Sequence, residues 1–147
     1  MTMPFARLIK PMVLAIFTAM LSFYSSAAPL AEFEVDKVRG VIVAQLAAFA
    51  DDDADGAFET ATPAVQEAIG NSGLFLAMVR GAYPLVYRTN LVHFHKVEED
   101  KGSVLQLVEI LDDNAKSWLA LFALEQQADS TWRISGCIVV ENQWKSV

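Results

Sequence analysis

The feature that most constrains this chain is a change of hydrophobic period near Gly81. Before it, apolar residues recur every three to four positions, as helices require; after it they alternate, as half-buried strands require. A helical half followed by a strand half, joined by short connections, predicts an α+β fold rather than alternating β-α units.

The helical half begins at Glu32. Val35, Val38, Ile42, Gln45, Leu46 and Phe49 fall on one face, which predicts a first helix over residues 32–50. The aspartates at 51, 52 and 53 stop it and supply caps for a short second helix over residues 53–60. Thr62-Pro63 is a strong start signal, a capping hydroxyl followed by proline at the first helical position. That third helix is expected to end near Gly70, and Ser72 to cap a fourth over residues 73–80. Tyr83-Pro84-Leu85-Val86-Tyr87 is expected to be extended, because a residue before proline avoids the helical region.

Strands are predicted over residues 88–97, 103–111, 115–125 and 131–140, with turns between them that favour an antiparallel meander. The third is apolar on both faces, with Trp118, Ala120, Phe122 and Leu124 on one and Leu119, Leu121 and Ala123 on the other. One helical layer cannot cover both, so curvature, a partner subunit or the C-terminal tail is expected to cover the second. In the last strand, Trp132 is expected to anchor the core, followed at alternating positions by Ile134, Gly136 and Ile138.

The first 27 residues are expected to lie outside the fold. Arg7 and Lys10 precede an uncharged apolar run over residues 11–24, too short for a spanning helix. Ser25-Ser26-Ala27-Ala28 then offers the small residues of an export cleavage site, cut after Ala27. The expected organisation is a signal peptide over residues 1–27 and one domain over residues 28–147, periplasmic or secreted and free of the membrane after cleavage.

Removing Arg7 and Lys10 from the 11 basic residues leaves nine, against 18 acidic ones. No Lys/Arg cluster is visible, which argues against nucleic acid. The single cysteine, Cys137, precludes an intramolecular disulfide and sits in an apolar run as a small core residue.

Few residues carry an obvious chemistry. His93 and His95 share one strand face, and Glu109 could join them at a metal, but solvent-facing polar residues are the simpler reading. No metal or other cofactor is expected for folding. Glu109 interrupts an apolar strand; inside an apolar cavity it would serve as a general base, and at the sheet surface as an ordinary carboxylate. Tyr83, Tyr87, Trp118 and Trp132 are aromatics able to line a cavity or fill the core. Arg80 and Arg88 bracket the Tyr-Pro segment and suit an anionic ligand or salt bridges. The run Asp51-Asp52-Asp53-x-Asp55-Gly56 has half of a calcium-loop pattern but lacks its closing glutamate, which leaves helix capping.

Several segments together carry a resemblance: residues 41–49, Phe58 to Thr62-Pro63 with Gln66, residues 75–80, Tyr83-Pro84-Leu85-Val86-Tyr87-Arg88 and Trp132-Arg133-Ile134-Ser135-Gly136-Cys137. The chain resembles an exported proteobacterial family known only as a domain of unknown function. That family is similar in architecture to the nuclear transport factor 2 and ketosteroid isomerase group. The resemblance implies N-terminal helices packed in a curved four-stranded antiparallel sheet, a cone with a pocket; it implies no reaction.

Three classes of function follow. The first is a periplasmic binding or accessory module with a small apolar pocket. The second is a homodimerising structural domain, paired through the sheet face. The third is an isomerase- or lyase-like enzyme with Glu109 as base. Candidate ligand-binding residues are Arg80, Tyr83, Tyr87, Arg88, Glu109 and Trp118, for a small apolar or anionic ligand.

Overall fold

A computed structural model describes residues 29–89 and 91–145. The expected signal peptide lies outside the described residues. Five helices precede four strands: α1 Glu32–Ala50, α2 Ala54–Glu59, α3 Pro63–Ile69, α4 Ser72–Ala82 and α5 Pro84–Tyr87, then β1 Leu91–Asp100, β2 Ser103–Leu111, β3 Ser117–Gln126 and β4 Trp132–Glu141. The strands form one antiparallel sheet in the order β1-β2-β3-β4. This is the α+β meander that the change of period predicts.

Local chemistry sets the helix boundaries. The Asp53 side chain accepts from Gly56 N at 3.0 Å and starts α2. Asp55 in turn accepts from the Ser72 hydroxyl, so the aspartate run caps and ties helices. Thr62 caps α3 ahead of Pro63, and Gly70 ends it at φ 102°, where a side chain would be strained. Asn71, rather than Ser72, caps α4 through its bond from Leu74 N.

The segment after Tyr83 departs from expectation. Pro84–Tyr87 is one helical turn, not an extended run. The proline restricts Tyr83, which lies outside the helical region at φ −133° and ψ 62°, but itself suits the first helical position. The β1–β2 turn is also tighter than expected. Lys101 and Gly102 both take positive φ, the two-residue hairpin geometry that matches strand twist.

The core lies between the helices and one sheet face. Val38, Ile42 and Phe49 of α1 meet Val104, Val108, Ile110, Ala120, Phe122, Leu124 and Ile134 from the sheet. Trp132 is buried there, and its indole N–H donates to Glu34 of α1. That bond, and then Lys37, holds the Glu34 carboxyl below its ordinary value.

Two bulges reset strand register. One in β4 sets Ile134 opposite Leu124 but Gly136 opposite Ala123. Cys137 therefore turns inward beside the core and Ile138 outward, 63% exposed. The expected alternation through Ile138 fails because the bulge inserts Ser135. The other lies between Phe94 and Val97 of β1. Fully buried Gln106 holds it: its amide donates to the carbonyls of His95 and Leu107 at 2.7 and 2.8 Å, and Arg39 donates to its oxygen. Every polar atom of Gln106 is thus used, as deep burial requires.

Candidate functional site

An apolar cavity lies between the helices and the inner face of β4, with a volume of about 170 Å³. Gln45 and Phe49 of α1 form its floor. Val65 and Ile69 of α3 and Phe75, Met78 and Val79 of α4 form its walls, and Tyr83 and Val86 lie at the α4–α5 joint. Ile134 to Cys137 close the sheet side. The room arises locally. Helix α3 has no fully buried residue, so it flanks the core without filling it. Ala61, Ala82 and Gly136 are small residues of the lining.

The lining carries no charged side chain among the described residues. Its polar groups are few. The Ser135 hydroxyl donates to the Ala123 carbonyl at 3.2 Å. Burial pushes the Cys137 thiol up to about 12, so it stays neutral. Gln45 is 3% exposed, and its orientation is fixed by logic as well as distance. The Thr60 hydroxyl donates to the Ala57 carbonyl and so must accept from the Gln45 amide nitrogen, at 2.8 Å. The Gln45 amide oxygen remains to accept a hydrogen bond in the cavity.

The six expected site residues do not converge. Tyr83 alone lines the cavity. Tyr87 is buried against Phe49, and its hydroxyl accepts from Arg80 at 2.9 Å. The Arg80 and Arg88 guanidinium carbons lie 5.0 and 5.5 Å from the Tyr87 ring centre, and Arg80 also pairs with Asp52 at 3.3 Å. Neither arginine reaches the cavity lining. Trp118 stands at the β2–β3 turn, its indole donating to Asp112 and its ring beneath Lys116. That donor, after the Lys116 backbone N–H, holds the Asp112 carboxyl low.

Glu109 belongs to the opposite face of the sheet. It alternates with inward Val108 and Ile110 and pairs with His93 across the ladder. Of the two readings of Glu109, the placement fits the carboxylate at the sheet surface and not a base inside the cone: strand alternation turns it away from the helices. There it is 6% exposed and accepts from the Ser117 hydroxyl at 2.7 Å. The cavity residues the sequence reading missed as a site include Gln45 and Ser135. Gln45 had one usable signal, an amide within an otherwise apolar helical stripe.

No curated protein matches the chain. A similar solved structure is an NTF-2 like protein of unknown function from Burkholderia xenovorans LB400, at 15% sequence identity and a TM-score of 0.40. The likeness covers 76% of this chain and 92% of that one. The family model described as a domain of unknown function (DUF4864) matches residues 32–147, which span every described helix and strand. The chain belongs to the DUF4864 family.

Proposed function

We propose that this protein is an exported binding module for a small uncharged ligand, held in the cavity between α1, α3, α4 and β4. The observation that carries the reading is the lining: apolar walls, no charged side chain, and the amide of Gln45. A charged ligand would lose its hydration without a partner there, a cost of several kcal/mol. An apolar cavity of roughly 150 Å³ is known to hold a benzene-sized molecule, so the site suits a single ring or a short chain. Burying roughly 150 Å² of ligand surface at about 25 cal/mol/Å² supplies about 4 kcal/mol. That corresponds to a Kd of about 1 mM, and a donor to Gln45 adds about 1 kcal/mol.

Thermal melts with phenol, indole and benzoate test this. The neutral probes should raise Tm and benzoate should not. No shift with either neutral probe, or an equal shift with benzoate, contradicts the reading. Export is tested separately by N-terminal sequencing of fractionated cells. Protein beginning at Ala28 supports it; an intact Met1 form confined to the membrane contradicts it. Among the described residues no helix is long and apolar enough to cross a membrane.

The outer sheet face favours a second reading, pairing with another copy. Leu91, Ile138 and Val140 are 60%, 63% and 52% exposed. Val140 and Ile138 stand opposite Leu119 and Leu121 in the β3–β4 register, and Leu91 pairs with Leu111 on β2. Sedimentation equilibrium decides it: a dimer that Ile138→Lys dissociates supports pairing, and a monomer at all concentrations contradicts it.

A further inference from the structure

The outer face also carries a polar cluster that the cavity does not use. The Glu109 Oε2 lies 3.6 Å from His95 Nε2. His93 pairs with Glu109 across β1 and β2, and its ring meets that of His95 edge to face, 5.1 Å between centres. The other carboxylate oxygen, Oε1, accepts from Ser117, whose oxygen accepts from the Asn142 amide at 3.0 Å. Leu91 and Leu111 flank the group in a shallow concavity.

One atom stands out. His95 Nε2 is buried and has no hydrogen-bond partner among the described residues. The distance of 3.6 Å to Oε2 is too long for an N–H···O bond, which spans about 2.7–3.2 Å. It is close to the separation a shared metal imposes. Two donors each about 2.1 Å from a tetrahedral ion stand about 3.4 Å apart.

We propose that His95, Glu109 and His93 form a site for a divalent transition metal of the zinc class. Two imidazoles and one carboxylate make a mixed nitrogen and oxygen set. That set suits zinc and its neighbours better than calcium or magnesium, which take oxygen ligands. Ser117 and Asn142 supply the outer hydrogen bonds that orient a ligating carboxylate. Among the described residues no group of three His, Cys, Asp or Glu side chains is placed to hold a metal ion as it stands. The pair His95–Glu109 is set, and exposed His93 completes the site by rotating its ring.

Calorimetric titration of the purified protein with zinc chloride tests this, alongside His93→Ala, His95→Ala and Glu109→Gln. One equivalent should bind, each substitution should weaken binding about tenfold or more, and the ring signals of both histidines should shift in wild-type NMR spectra. His93→Ala changes an exposed side chain, and thermal melts of all three variants check that each remains folded. No saturable binding below about 1 mM (about 4 kcal/mol) overturns the proposal. So does binding that the substitutions leave unchanged, or histidine signals that zinc does not move.

Discussion

The two faces of the sheet solve opposite problems with similar residues. On the inner face, apolar side chains from four strands meet α1, and the fully buried amide of Gln106 has every polar atom hydrogen-bonded. On the outer face, leucines and valines stand without a helical layer, while a carboxylate is buried beside an imidazole nitrogen that has no partner among the described residues. Packing dictates the first arrangement. The second makes sense in terms of what could approach it. An inner-face cavity can therefore select a ligand by shape and lack of charge, and the outer cluster by its donors.

The difference predicts unequal sensitivity to substitution. Trp132→Ala, on the inner face, should cost roughly 3–5 kcal/mol, since it empties a large buried site and frees Glu34. Denaturant melts measure it; a loss below about 1 kcal/mol would break the contrast.

Cys137 sharpens the comparison through pH. Folding raises its thiol from an ordinary 9.0 to about 12 by burial. A raised value means the fold favours the neutral thiol, so this contribution is intact below pH 9.0 and is lost as pH rises toward about 12. Wild type should therefore lose stability relative to Cys137→Ala over that window, and thiol reagents should react slowly with folded protein at pH 8. Rapid labelling would show the thiol to be outside the core.

Ile138, its neighbour on the outer face, should matter least. Ile138→Thr should change the stability of the single chain by no more than about 0.5 kcal/mol. A larger loss in dilute solution would mean that something within the same chain covers this face.

Much of the fold is legible in the sequence because local rules and packing agree. Thr62-Pro63 announces α3, the stripe from Val38 to Phe49 announces α1, and residues 103–111 alternate as β2 does. Residues 84–87 were misread because the restriction on Tyr83 was extended to the proline and beyond. The sites were less legible. Alternation with Val108 and Ile110 places Glu109 on the other face of the sheet, whereas its apolar neighbours left a cavity position open as well. The cavity itself depends on the spacing of α3 and α4 from β4 and on a bulge at Ser135. Neither leaves a periodic trace. Arg80 and Arg88 left an anionic ligand or salt bridges open; tertiary contacts gather both around Tyr87, and Arg80 pairs with Asp52.

The central claim, an uncharged ligand in the inner cavity, is tested most directly by amide chemical-shift mapping with indole. Saturable shifts should cluster at Gln45, Phe49, Val65, Met78, Tyr83 and Cys137, weakened by Gln45→Leu, which replaces the acceptor with an apolar side chain of similar size. Shifts confined to the outer face, or the absence of any saturable cluster, would contradict it.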